Sequence, residues 1–309
     1  MSRIASEGMI PKCWRKAKVI AVLKPGKDPK QASSYRPLSL LSVGYKLYER
    51  LLLQRFGPIV DKQLPASQTG FRPGRSCDEQ VLSCTTHVEN GFQEQKKTGT
   101  VFLDLSAAYD TVWHTGLALK LSKIVPPAYT RTIMMLLQNR QFCVHFDNKR
   151  SKWHKQKNGL PQGSVLAPML FNIFTLDWPL TAARKFVYAD DMCLAAQSTD
   201  RTIIERTLTE DLSKIAEYCK AWRLKPNPTK TVVGYFHLAN RKAHDKLEVK
   251  LEGTVLKHES CPVYLGVTLD RSLSYKQHCE KISKKVGTRN NIIRMLAGST
   301  WGASADTLR

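Results

Sequence analysis

An α+β fold, with short strands and helices interleaved irregularly, is what this sequence predicts. Two observations carry the prediction. Apolar, β-prone runs such as AKVIAVL at 17–23, FVYA, MCLAA and VVGYF alternate with segments whose apolar residues recur at helical spacing, and hairpins occur among them. No Gly-rich phosphate loop of the GxxxxGK[ST] or GxGxxG kind is present, which sets aside P-loop and dinucleotide enzymes with their doubly wound parallel sheets. A chain of 309 residues has room for a sizeable core and approaches the length at which cores divide into lobes. No internal repeat or low-complexity linker separates such lobes, so they are expected to be woven together.

The elements follow in order. Residues 17–23 read as a short buried strand, and the loop LKPGKDPKQASSYRP after it is rich in Lys, Gly and Pro. From Leu38 to Phe56 the positions Leu41, Tyr45, Tyr48, Leu52 and Phe56 fall at helical spacing, and 78–95 reads as a second helix. Val101–Leu105 is a strand leading into an AAYD turn, with helices over 114–124 and 129–139 beyond it. Residues 141–146 and 153–157 form a hairpin with the basic tip NKRSK. Ser164 suits the N-cap of a helix over 165–176, since its hydroxyl can accept a free N–H and Pro168 is tolerated in a first turn. FVYA and MCLAA are two strands joined by an acidic turn. An amphipathic helix over 202–221, the loop KPNPTKT, the strand VVGYF, short strands near 247–251 and 263–269, and a basic helix over 274–297 complete the chain.

Composition narrows the partners. Lys and Arg number 48 against 26 Asp and Glu, a net charge of +22. Such an excess points to a polyanion, because each neutralised phosphate releases counterions and adds sequence-independent affinity. Nucleic acid is the partner expected, with a merely solubilising basic surface as the plain alternative. The eight cysteines form no CxxC pair, and no His pattern has zinc spacing, so neither a disulfide framework nor a zinc site is expected. No apolar run reaches the roughly 18 residues of a membrane span, and the start MSRIASEGMIPKCW lacks the apolar core of a secretory signal. A nuclear or cytosolic protein without a membrane partner follows.

Three aspartates carry the chemistry: Asp104 in FLDLSAAYD, and the pair Asp190–Asp191 in KFVYADDMCLAA. Each ends an apolar strand, where an unpaired carboxylate is costly to bury. Convergent carboxylates become favourable when hard divalent cations neutralise them, and two such ions clamping the attacking and leaving oxygens is the usual arrangement for phosphodiester chemistry. A strand-end cap for Asp104 and a plain hairpin turn for Asp190–Asp191 are the structural alternatives.

Taken together and in order, FLDLSAAYD, NGLPQGS, YADD, NPTKT and YLG resemble the reverse transcriptase family. LKPGKDP, YRPLSLL, LPQGSVLAPMLFNIF and LAGSTWGAS resemble its non-LTR retrotransposon branch, the jockey-like elements in particular. The resemblance covers nearly the whole chain. It implies a right-hand polymerase fold: fingers over 1–77 and 114–157, palm over 78–113 and 158–270, and the start of a thumb over 271–309. It also implies RNA-templated DNA synthesis from a DNA primer and dNTPs, with two Mg²⁺ ions, or Mn²⁺ in their place, and nuclear work with assembly in the cytoplasm. Full elements of the branch carry an endonuclease upstream and more sequence after the thumb, so a partial thumb is expected here.

Residue by residue, the resemblance makes Asp104, Asp190 and Asp191 metal ligands, with the Leu105 carbonyl as a further oxygen. Tyr109 stands where the family places an aromatic gate under the incoming sugar, leaving no room for a 2′-hydroxyl. Asp110 has a capping role or a catalytic one. Gln162 is implied to meet the nascent base pair or the nucleotide sugar, a task suited to a neutral amide that both donates and accepts. Lys24, Lys27 and Arg36 are the cations available for the triphosphate, Arg36 offering a planar fork and the lysines point charges. Lys230 is implied to be a general acid toward pyrophosphate or an electrostatic stabiliser. Tyr264, Leu265 and Gly266 resemble a primer grip, with a plain buried strand as the alternative; of Lys281, Lys284, Lys285 and Arg289 several fall on one helix face, suited to a duplex backbone or simply solvated. Trp222 and Trp301 have no role beyond packing. A non-enzymatic RNA-binding relic, an RNA-dependent RNA polymerase and a metal nuclease are the rival readings; the intact aspartates, Tyr109 and NGLPQGS respectively stand against them.

Overall fold

The strand that carries Asp104 is apolar on both faces, and the computed structural model, which describes residues 9–242 and 244–296, shows why. β3 (Lys97–Leu103) is the middle strand of a five-stranded sheet in the order β12-β9-β3-β8-β7, flanked by β9 (Val232–Phe236) and β8 (Asp191–Ser198). Being covered on both faces removes the polar alternation of a half-exposed strand. Val101 and Leu103 face α7 (Arg201–Ala221) with its Ile204, Leu208, Leu212 and Ile215, whereas Phe102 faces Val81, Cys84 and Val88 of α2 (Cys77–Gln93). β7 (Arg184–Tyr188) and β8 form the acidic hairpin, Tyr188 pairing with Asp191 across the Ala189–Asp190 turn. The β3–β8 ladder ends at Leu103↔Met192, and one further step in that register sets Asp104 opposite Asp191. β12 (Lys257–His258) adds in parallel to β9.

A second sheet holds the basic loop. β1 (Lys16–Leu23) and β2 (Tyr35–Leu40) are an antiparallel hairpin, and β4 (Arg140–Phe146) lies parallel to β1, with β5 (Lys149–Arg150) and β6 (His154–Gln156) completing its outer side. The first long helix, α1 (Val43–Asp61), buries Tyr45, Tyr48, Glu49, Leu52, Phe56 and Val60 on one stripe. It begins later than the apolar spacing predicts. Leu38–Leu40 stay extended because Pro37 disfavours the helical region at Arg36 and β1 offers a full ladder of partners, Ile20↔Leu38 among them. The AAYD segment is one turn of helix, α3 (Ala108–Thr111), entered through Ala107 at φ 49°. α4 (His114–Ile124) and α5 (Pro127–Leu137) follow, and α6 (Ala167–Phe174) is shorter than the predicted 165–176. Two short hairpins, β10 (Lys250–Leu251) with β11 (Thr254–Val255) and β13 (Val263–Tyr264) with β14 (Val267–Thr268), precede α8 (Lys276–Leu296). Most of the LAGSTWGAS segment and Trp301 lie outside the described residues. Among the described residues no helix is long and apolar enough to cross a membrane.

Candidate active site

The hairpin turn that presents Asp190 and Asp191 is held from behind by a buried amide. Gln68 Oε1 accepts from the N–H of Ala189 at 2.9 Å and of Gly70 at 2.9 Å, while its Nε2 donates to the Ala189 carbonyl at 3.4 Å. The segment around it runs as an extra edge beside β7, with Val187 N–H on the Ser67 carbonyl and Thr69 N–H on the Val187 carbonyl. Ala189 has φ 57°, and Gly70 lies so close that a Cβ there would stand 2.3 Å from the Ala189 nitrogen. Asn172 of α6 closes the clamp by donating to the Gly70 carbonyl at 2.8 Å. Gln68 and Gly70 have no mark in the sequence beyond a polar Gln-Thr-Gly step in an otherwise ordinary loop, and Asn172 lies within the LPQGSVLAPMLFNIF run without being singled out there.

Asp104 is fixed by the NPTKT segment. Its N–H donates to Thr231 Oγ1 at 3.2 Å, its carbonyl accepts from Asn227 N–H at 2.9 Å, and Leu105 bridges to Pro226. Lys230 Nζ thereby arrives 3.7 Å from Asp104 Oδ2, and no hydrogen bond reaches that buried oxygen. Protein packed around the turn withholds solvation from Asp190, and the charge of Asp104 adds to the effect, so its carboxyl titrates above the usual carboxylate range. Asp191 is pushed up to about 6 by the same loss of solvation and then by the charges of Asp190 and Asp104, although its side chain is open to solvent on one side. The three acids crowd each other, with the Lys230 ammonium, 3.7 Å from Asp104, set against their combined negative charge. Among the described residues no group of three or more His, Cys, Asp or Glu side chains is arranged so as to hold a metal ion. An orphaned carboxylate oxygen and two neighbouring carboxyls held above their usual range are nevertheless the donor set that hard divalent ions suit, because such ions complete their shells with water and substrate oxygens.

In front of the acids opens a cleft of about 530 Å³. Lys24 and Arg36 line it from the β1–β2 hairpin, Tyr109 and Asp110 from α3, Gln162 from the turn before α6, and Asp190 from its floor. Tyr109 stacks on Phe171 with ring centroids 4.8 Å apart and planes at 20°. Its hydroxyl has no hydrogen-bond partner, and burial, reinforced by the charge of Asp190, holds the phenol protonated. The Gln162 turn is clamped at three points. Its carbonyl accepts from Ser39 N–H at 2.8 Å, its Nε2 donates to the Asp110 carboxylate at 3.2 Å, and Glu49 of α1 receives Ser164 Oγ together with Val165 N–H at 2.9 Å. Gly163 is required between them, since at φ 121° a Cβ would meet the Ser39 carbonyl at 2.7 Å. Ser164 is not the N-cap expected of it, since α6 starts later and Leu166 takes that position without a side-chain bond; Ser164 Oγ accepts from Ala167 N–H at 3.2 Å and donates to Glu49, a buried acid that local sequence does not mark. Asp110 does not cap the helix at 114; Trp113 takes that position without a side-chain bond, and the Asp110 carboxylate serves Gln162 instead.

Several predicted residues stand apart from this cleft. Lys27 lies exposed in the hairpin loop and does not line it, unlike Lys24, which lines it while its Nζ donates to the Ser33 carbonyl at 2.9 Å. Tyr264 is turned into the core, its hydroxyl donating to the Phe186 carbonyl at 3.3 Å, so its ring cannot touch a primer; Leu265 and Gly266, at φ 47° and 88°, form the turn beside it, Leu265 half-buried and Gly266 exposed. Lys281, Lys284, Lys285 and Arg289 lie on the exposed surface of α8, Lys281 donating to Thr268 Oγ1 at 3.0 Å.

The profile of the family described as Reverse transcriptase (RNA-dependent DNA polymerase) matches residues 23–269. The chain is 37% identical over 297 residues to the probable RNA-directed DNA polymerase from transposon BS of Drosophila melanogaster, covering 93% of this chain and 33% of that protein. It is 35% identical over 295 residues to the RNA-directed DNA polymerase from mobile element jockey of Drosophila funebris, covering 91% and 32%. It thus spans about a third of the length of these relatives. Among solved structures, apo telomerase from Candida tropicalis aligns with a TM-score of 0.58 at 10% identity over 89% of this chain and 52% of that one, a likeness of fold. The fold is that of a right-hand polymerase, and the chain belongs to the reverse transcriptase family, in its non-LTR retrotransposon branch.

Proposed function

We propose that this chain carries out RNA-directed DNA polymerisation, transferring a deoxynucleoside monophosphate from a dNTP to the 3′-hydroxyl of a DNA primer paired with an RNA template. The observation that carries the reading is the cleft itself, which joins Asp190 on its floor to Lys24 and Arg36 on one wall and Tyr109 on another. In this reading residues 1–77 and 114–157 act as fingers, 78–113 and 158–270 as palm, and 271–309 as the start of a thumb.

The 3′-oxygen attacks the α-phosphorus, the bond to pyrophosphate breaks, and the hydroxyl proton leaves to solvent. Two Mg²⁺ ions, or Mn²⁺ in their place, supply when bound the acidity of the attacking hydroxyl and neutralise charge on the leaving oxygens. Asp104, whose Oδ2 has no hydrogen bond, Asp190, Asp191 and the carbonyl of Leu105 would hold them. Lys24 and Arg36 neutralise the triphosphate. Lys230, 3.7 Å from Asp104, brings an ammonium beside the carboxylates, to steady pyrophosphate or protonate it. Tyr109, braced by Phe171, excludes a 2′-hydroxyl, and Gln162 meets the nucleotide with an amide held by Asp110. The Leu265–Gly266 turn supports the primer end, and the basic surface of α8 follows the duplex backbone. The proposal includes a nuclear place of action, where chromosomal DNA supplies the primer.

The test is extension of a DNA primer on an RNA template with Mg²⁺, dNTPs and rNTPs being compared. Incorporation of dNTPs in strong preference to rNTPs is expected. Efficient rNTP addition would move the reading to an RNA polymerase, and binding of RNA without any addition would move it to a non-enzymatic module.

A further inference from the structure

Phe71 combines two properties that stability alone does not reward. Its backbone is left-handed at φ 58°, a conformation unfavourable to an aromatic residue and open to Gly or Asn. Its side chain is nevertheless 50% exposed, so no buried packing offsets that strain. The conformation is imposed from both sides. Gly70 is pinned against the backbone of Ala189. Arg72 is anchored by its guanidinium to the Asp61 carboxylate at 2.7 Å and to the carbonyls of Asp61, Pro65 and Gln68 at 3.0–3.1 Å. The residue between these fixed points is carried to the wall of the active-site cleft, which it lines together with Lys24, Arg36, Tyr109 and Gln162.

The other cleft aromatics are engaged. Tyr109 is stacked on Phe171, and Tyr35 meets Phe146 edge-on at 5.4 Å. Phe71 has its nearest aromatic, Tyr188, at 6.4 Å and tilted by 39°, outside stacking geometry. An exposed aromatic face beside phosphate-seeking cations matches a nucleobase, whose π-face is common to all four bases and therefore suits an enzyme that must accept each in turn.

We propose that Phe71 is a stacking platform for a nucleobase at the polymerisation cleft, that of the incoming nucleotide, with its strained backbone retained for binding. The inference rests on the polymerase reading above and adds a contact that no sequence motif marks. Backbone strain at a ligand-facing residue is the expected signature of such a role.

The experiment uses Phe71→Asn and Phe71→Gly, both compatible with a left-handed backbone, with Phe71→Tyr as the variant that keeps the ring. Thermal melting is read alongside the dissociation constants of the binary complex with primer–template and of the ternary complex formed when a dNTP is added to a dideoxy-terminated primer. Asn and Gly should melt at or above the wild-type temperature and yet weaken the ternary complex by about tenfold or more, with Tyr near wild type. Weakening confined to the ternary complex assigns the stack to the incoming base. Weakening already present in the binary complex places the stack at the primer–template end and overturns the assignment to the incoming base. Lowered melting of both Asn and Gly, or unchanged affinities, overturns it. A wild type that forms no ternary complex with any dNTP overturns the polymerase reading as well, a result distinct from a wild type and a Phe71→Gly variant that bind equally.

Discussion

Replacing Gln68 with Leu tests whether the catalytic turn is held by the amide behind it. In the wild type the 4%-exposed Gln68 satisfies the N–H groups of Ala189 and Gly70, both at 2.9 Å. Leucine fits the space but leaves two buried donors without an acceptor, at about 1–3 kcal/mol each. The longer bond to the Ala189 carbonyl, at 3.4 Å, adds little. A loss of about 3 kcal/mol is therefore expected in urea unfolding, a large share of the roughly 5–15 kcal/mol that holds a domain together. Ala189 sits at φ 57° only because its surroundings demand it, so the turn should relax before the fold gives way. A displacement of about 1 Å at the acids is worth on the order of 100-fold in rate, and single-turnover incorporation should fall by that much while RNA affinity stays near wild type. Gln68→Met, which keeps the shape and removes the polar group, should behave like Leu. Either variant retaining full rate with less than about 0.5 kcal/mol of destabilisation would refute the reasoning.

Three further outcomes are expected. Tyr109→Ala removes the ring stacked 4.8 Å from Phe171 and should relax discrimination between dNTP and rNTP by roughly tenfold or more, measured by competitive incorporation; unchanged selectivity would remove the gate. Lys120, buried against Phe174, Tyr218 and Trp222, has its ammonium pushed down to about 8 by loss of solvation, against an ordinary value of about 10.4. Between those two values the unfolded chain binds more protons than the folded one, so folding stability should rise with pH across that window. The whole window is worth on the order of 3 kcal/mol, of which roughly 1.5 kcal/mol falls between pH 8 and 9.5, and that rise should be missing from Lys120→Met in urea titrations at those two pH values. Asp191, pushed up to about 6, must lose its proton before it can hold a cation. The rise in melting temperature that Mg²⁺ produces should accordingly grow between pH 5 and 7, and a flat profile would argue that Asp191 takes no part.

The residues easiest to read from sequence are those whose chemistry conflicts with their neighbours. Asp104 and Asp190–Asp191 end apolar strands, and that conflict marks them without knowledge of the fold; the strand ladder then sets Asp104 opposite Asp191. Residues that hold the site in place are opaque for the opposite reason, since each is unremarked beside its own neighbours and meaningful only beside a distant one. Gln68 reaches Ala189 from 121 positions away, and Glu49 reaches Ser164 from 115. Helical spacing misassigned Leu38–Leu40 because pairing with β1 outweighs a periodicity that a short apolar run can satisfy equally well. Tyr264 carries a motif that resembles a primer grip while its ring is spent on the core, and Lys27 is a loop cation whose distance from the cleft is a property of the hairpin rather than of its sequence.

The central claim is that the three carboxylates carry nucleotidyl transfer, and Asp190→Asn tests it most directly. The substitution keeps the size of a side chain on the cleft floor and removes its negative charge. With wild type and variant measured side by side for extension of a DNA primer on an RNA template, the wild type should add dNTPs. The variant should add none while binding the RNA with nearly unchanged affinity. Incorporation retained by Asp190→Asn would contradict the account.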